Sequence, residues 1–74
     1  MPRIENWEYD DGKIYGNIFD DDRLDDGEFI RTKTIMLLNL ENMTAKTPRR
    51  LFKLGKRYCE TNADRGDKLI TEVP

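Results

Sequence analysis

The chain contains neither histidine nor serine, and these two absences together remove the usual general base and the commonest hydroxyl nucleophile. Hydrolysis by a serine triad is thereby excluded. Its one cysteine, Cys59, has no partner for an internal disulfide. Lys56 and Arg57 nearby would favour its thiolate, but no histidine stands ready to take the proton, so a structural or incidental thiol is expected. Zinc needs nitrogen and sulfur ligands that this composition cannot supply within one chain. The longest apolar run, Ile35 to Leu38, falls far short of the roughly 20 residues of a membrane span. Nor does a charged-then-apolar leader open the sequence. These features predict a reducing, cytoplasmic setting with no membrane partner.

With 74 residues there is room for one domain, and a chain of this size buries only about 60% of the surface it exposes when unfolded. Enclosed catalytic clefts usually demand more scaffold. A surface site, or one shared between copies, is the expectation, and the protein is expected not to be an enzyme. No glycine pattern for nucleotide phosphates occurs, since Gly12 and Gly16 have no third glycine at the proper spacing. No cofactor is expected. Asn42-Met43-Thr44 spells a glycosylation sequon and Arg65-Gly66-Asp67 an adhesion tripeptide. Without a secretory leader both read as chance.

What the chain does have is charge, 38% of its residues, arranged unevenly. Ten acids face three bases up to Glu28, a balance of −7, whereas from Phe29 onward five acids face ten bases, a balance of +5. Five aspartates fall within seven positions, at Asp20, Asp21, Asp22, Asp25 and Asp26. A calcium loop requires a different register, because placing Gly27 sixth puts Leu24 third and Lys33 twelfth, where a bidentate glutamate belongs. No metal site is expected. Together with Asp10 and Asp11 the cluster presents an acidic surface suited to a basic partner. The opposite cluster, Arg49, Arg50, Lys53, Lys56 and Arg57 interleaved with Phe52 and Tyr58, resembles a phosphate footprint. It supports the alternative of a nucleotide or short nucleic-acid binding module using residues 49–57, with Arg49, Arg50, Lys53 and Arg57 on phosphates and Phe52 or Tyr58 stacking on a base.

Patterning predicts a mainly β fold: a small antiparallel sheet or barrel of four to five short strands. Trp7 and Tyr9 alternate on one face, Asp11-Gly12 is a tight-turn pair, and Ile14, Gly16 and Ile18 follow, so residues 4–20 read as a hairpin. Gly16 marks a bulge or a close approach, with Trp7 as the neighbour. Asp26-Gly27 closes the acidic loop before Phe29 to Thr34 alternates again, and the apolar run at Ile35 signals a strand buried on both faces or a bulge near Thr34. A turn at Glu41-Asn42 returns the chain. Residues 48–60 fit either a last strand, Leu51 to Leu54 ended by Gly55, or a short helix capped by Thr47 with Pro48 at its first position; Gly55 favours the strand. The expected core is Trp7, Ile14, Ile18, Ile30, Ile35, Leu37, Leu51 and Leu54. The domain is expected to span residues 1–60, with 61–74 a loosely ordered tail in which "LITEV" reads as an edge strand or as nothing fixed. Open strand edges make a homo-oligomer plausible.

Trp7, Gly12, Ile14, Gly16 and Ile18, then Arg23, Asp26-Gly27, Ile30, Thr32 and Ile35, and later Leu54-Gly55, resemble a group of small phage-encoded proteins. In these a tryptophan hairpin precedes an R-x-x-D-G-x-x-I-x-T segment and a late L-G. The resemblance covers residues 4–55; the chain departs from it at Lys33 and at Pro48-Arg49-Arg50. It implies a phage or prophage accessory protein that acts by binding a host or defence component, in the cytoplasm of a bacterial host cell.

Overall fold

In the computed structural model, which describes residues 1–58 and 70–73, the described chain forms seven strands and no helix. They are β1 (Arg3–Asp10), β2 (Lys13–Phe19), β3 (Glu28–Arg31), β4 (Leu37–Asn39), β5 (Thr44–Lys46), β6 (Leu51–Leu54) and β7 (Thr71–Glu72). One open mixed sheet contains all of them in the order β4-β5-β6-β1-β2-β3-β7. The expectation of a mainly β fold is met. The sheet does not close into a barrel, and it has more strands than the four or five expected.

Asp11-Gly12 makes the two-residue turn between β1 and β2, with positive φ at both positions (49° and 77°), the conformation that suits a tight hairpin. The bulge lies in β1 opposite Gly16: the register passes from Glu5↔Asn17 to Glu8↔Tyr15, so Asn6 and Trp7 together oppose Gly16. Asn6 takes the left-handed conformation (φ 53°), and the alternation advances by one residue. Ile4 and Trp7 therefore both face the core although three positions separate them. A side chain at Gly16 would meet Ile4 Cγ2 at 2.5 Å and the Glu5 carbonyl oxygen at 2.8 Å. What crowds this glycine is the bulged backbone and Ile4, not the indole.

Two pairings are parallel, β1 with β6 and β3 with β7, a departure from the expected all-antiparallel sheet. Period-two alternation reports which face a strand buries but not the direction of its neighbour. The core is Ile4, Trp7, Ile14, Ile18, Ile30, Ala45, Phe52, Leu54 and Val73. Ile35 packs against it half-buried. Leu37 (60% exposed) and Leu51 (42%) are not core residues. In β6 the charged Lys53 fixes the outward phase and takes Leu51 with it, which leaves Phe52 and Leu54 inside. At Leu37 the cause is an irregularity: the Met36 amide donates to the Lys46 carbonyl at 2.7 Å while Leu37 is the residue paired with Lys46. Both residues thus oppose one, two positions beyond Thr34.

The hydroxyl of Thr47 does accept the Arg50 amide at 3.1 Å, and the Thr47 amide donates to the Arg50 carbonyl at 2.9 Å. The Thr-Pro pair that reads as a helix cap thus closes a turn, because Leu51–Leu54 is claimed on both sides by β5 and β1. Within the stretch 61–74, Thr71–Glu72 pair with β3 as an edge strand and Val73 is buried. Cys59, the Arg65-Gly66-Asp67 tripeptide and the rest of 59–69 lie outside the described residues.

Candidate functional site

The register brings the two oppositely charged segments to the same end of the sheet. β1 and β6 are parallel and in phase, Arg3 opposite Lys53, so the turn before β6 lies beside the start of β1. β2 is antiparallel to β1, with Phe19 opposite Arg3, so its exit loop, the aspartate cluster, arrives at that end too. Sequence separation hid this meeting: Asp21 and Arg50 are 29 residues apart.

There the Arg50 Nη2 donates to Asp21 Oδ2 at 2.5 Å. The Asp21 side chain is 1% exposed and that of Arg50 23%. Asp21 Oδ1 accepts the Arg23 amide at 2.8 Å. Burial pushes the Asp21 carboxyl up, but the Arg23 amide, the Arg50 guanidinium and the Leu24 amide outweigh it and hold the group below its ordinary value. Arg3 makes a second pair, Nη1 to Asp20 Oδ2 at 3.0 Å, and reaches Glu5 with its Nε at 2.6 Å. Each of these arginines also covers an aromatic ring, Arg3 over Phe19 at 5.0 Å and Arg50 over Phe52 at 5.2 Å. Asp26, though exposed, caps the loop, its Oδ1 accepting the Asp20 amide at 2.9 Å, while Asp20 itself sits at a positive φ of 61°. Gly27 (φ 90°) lets the chain turn into β3, and its amide donates to Ile18.

The five aspartates are thus unequal. Asp21 and Asp26 build the loop, Asp20 is tied to Arg3, and all but Asp21 are exposed; what sets the side chains of Asp22 and Asp25 apart is that they make no hydrogen bond or ion pair among the described residues. Asp20, Asp21 and Asp22 border an open groove of about 420 Å³ whose floor and walls also include Met1, Pro2, Arg23, Arg49 and Arg50. Among the described residues no three histidine, cysteine or acidic side chains gather as metal ligands: Asp20 and Asp21 face arginines, and Asp26 faces an amide.

The basic segment is divided by the strand it contains. Arg49 and Arg50 border the groove. Arg57 lies at the far end of β6, its guanidinium 5.5 Å from the Trp7 ring, so seven residues, roughly 20 Å of extended chain, separate it from Arg50. Lys53 is exposed on β6. Phe52 is fully buried and cannot stack on a base.

No family model, no curated protein and no solved structure matches this chain. The residues behind the resemblance noted above have structural work in the fold: Gly12 in the turn, Gly16 beneath the bulge, Trp7 in the core with its Nε1 donating to the Gly55 carbonyl at 2.9 Å. Gly55 makes room for the Glu5 carboxylate, whose Oε1 accepts the Lys56 amide at 2.7 Å.

Sequence reasoning missed Arg3 as part of the site. The only signal for Arg3 was its place at the start of a strand whose neighbour ends in the aspartates. Chemically, the groove offers fixed charges: arginines that stay protonated and carboxylates tied to them. Such a set recognises charge and shape.

Proposed function

We propose that the protein is a non-enzymatic interaction protein of phage type, which binds and inhibits or adapts a host or defence protein through the acidic loop Asp20 to Asp26. The observation that carries this reading is the division of labour among the aspartates. Asp21, fastened to Arg50, and Asp26, fastened to the Asp20 amide, hold the loop in one conformation, and the exposed Asp22 and Asp25 are displayed from it. A pre-ordered loop loses little conformational entropy on docking. Exposed carboxylates at its crest favour a partner with a basic surface and steer its approach. The resemblance to phage-encoded proteins points to a bacterial host component as that partner.

The competing reading, phosphate binding by Arg49, Arg50, Lys53 and Arg57, draws less support. Arg50 is engaged by Asp21, Arg57 covers Trp7 about one strand-length away, and the Asp20–Asp22 carboxylates border the same groove and would repel an anion.

Affinity capture from nuclease-treated bacterial lysate tests the reading, with the tagged wild type beside Asp22→Asn/Asp25→Asn. A protein retained by the wild type and lost from the variant, with retention falling steeply as salt rises, is the expected outcome. Equal retention and equal salt dependence in both would refute it. Recovery of nucleotide or nucleic acid alone, visible as a raised absorbance ratio at 260 over 280 nm, would move the active surface to the arginines.

A further inference from the structure

Strand pairing sets Leu37, Lys46 and Leu51 directly across from one another, so the three form a row on one face of β4, β5 and β6. The residues beside them, Leu38, Ala45 and Phe52, pair in the same way and turn to the core. The outer row is solvent-facing, with Leu37 60% and Leu51 42% exposed, and the exposed Met36 and Leu40 flank the edge strand β4. Beyond Lys46, residues Thr47, Pro48 and Arg49 line an open groove of about 500 Å³ together with Lys33 and Thr34. Lys46, Arg49 and Lys53 are exposed here, and none of them meets a carboxylate among the described residues. Aliphatic side chains ringed by free cations fit an occupant that is apolar at its centre and anionic around it.

The chain carries such a segment. At the tip of the β1–β2 hairpin, Glu8, Asp10 and Asp11 are exposed around Tyr9, itself 44% exposed, and Lys13 is the sole base between residues 4 and 22. Tip and patch cannot meet within one copy: Arg3 is level with Lys53, and β1 runs on from there for seven residues, roughly 20 Å, before it reaches Asp10. We propose that the protein associates head to tail with itself, the Glu8–Asp11 tip of one copy docking on the Leu37–Lys46–Leu51 face of the next. The contact is heterologous, so it strings copies together instead of closing a symmetric pair. It is distinct from the acidic loop.

Sedimentation velocity of the full chain, from about 10 μM to about 1 mM, tests this at low and high salt. The weight-average mass is expected to rise with concentration at low salt and to fall back as salt screens the contact. Leu37→Asp/Leu51→Asp removes the patch and Asp10→Lys/Asp11→Lys the tip; each alone is expected to weaken association by about tenfold or more. An equimolar mixture of the two is expected to form a one-to-one dimer and nothing larger, since one intact patch meets one intact tip. Circular dichroism checks that each variant folds, and Lys46→Glu/Lys53→Glu, which leaves every apolar side chain in place, serves as a second patch variant. A wild type that stays monomeric at every concentration would overturn the proposal. So would a mixture that stays monomeric while the wild type associates, because one intact patch and one intact tip would then not suffice, and so would either variant alone associating as strongly as the wild type, the pattern of symmetric pairing.

Discussion

Replacing Asp21 by asparagine tests whether the ion pair at the groove fastens the loop. The variant keeps an oxygen for the Arg23 amide but removes the charge facing Arg50 and sets an NH₂ against a guanidinium. A hydrogen bond to a charged group contributes about 1.5–3 kcal/mol. Arg50 keeps some contact with water, which softens the loss of its partner, so a cost of about 2 kcal/mol is expected. A domain of 74 residues has a total stability of roughly 4–11 kcal/mol, and 1 kcal/mol shifts the Tm of a domain this size by about 4–8 °C. The Tm of Asp21→Asn should therefore fall by about 8–16 °C. Thermal and urea unfolding followed by Trp7 fluorescence and circular dichroism measure it. A double-mutant cycle with Arg50→Met isolates the pair and should give a coupling of about 1 kcal/mol or more. The carboxyl of Asp21 is held below its ordinary value in the fold, so its contribution is complete above the unfolded value of about 3.9 and is lost as pH falls through the lower folded one. The gap between wild type and variant should be full at neutral pH and begin to close below about pH 4. A Tm within about 2 °C of wild type, or a coupling under about 0.5 kcal/mol, would refute the view that this pair holds the loop.

Gly16→Ala should cost about 1–3 kcal/mol, because the added carbon meets the backbone of the bulge at Glu5 and Trp7, which side-chain rotation cannot relieve; an unchanged urea midpoint would contradict the crowding. Glu72, held to a pKa of about 2 first by Lys33 and then by Arg31, supports β7 above its unfolded value of about 4.3, and that support is lost as pH falls toward the folded value. Carboxyl NMR titration together with exchange of the Val73 amide, which donates to the Arg31 carbonyl, should show this acid step in the wild type and none in Glu72→Gln. A Glu72 titration at the ordinary carboxylate value would refute the three-residue cluster.

Local chemistry made part of the fold legible. Asp11-Gly12 named the first hairpin, Gly16 announced a crowded position, Asp26-Gly27 closed the loop, and the strand reading of Leu51–Leu54 held because Gly55 argued against a helix. Lys53 carried the information that Phe52, not Leu51, is buried: strand alternation cannot put both Leu51 and Leu54 in the core. Leu37 was misplaced because the doubled position at Met36 and Leu37 breaks the count that alternation relies on. The parallel pairings were out of reach, since direction between strands 41 or 50 residues apart leaves no periodic mark. For the same reason the site was seen as two rival clusters. That Asp21 is buried against Arg50, while its neighbour Asp22 is displayed, is a distinction no run of identical aspartates can express.

The parallel contact between β1 and β6 also dictates an order of events. Each flank, β1–β2–β3 on one side and β4–β5–β6 on the other, is stitched by neighbouring strands and can form from local contacts. The join between them brings Arg3 to Lys53 and closes a long loop before any reward arrives, the kind of step that slows folding. A chain leaving the ribosome cannot make this join until residue 54 has emerged, nor add β7 at the edge until residue 72 has. The groove straddles that same join, with Pro2, Asp20 and Asp21 from one flank and Arg49 and Arg50 from the other. A partner gripping both banks would therefore hold the two halves of the molecule together, and its binding would register as added resistance to unfolding.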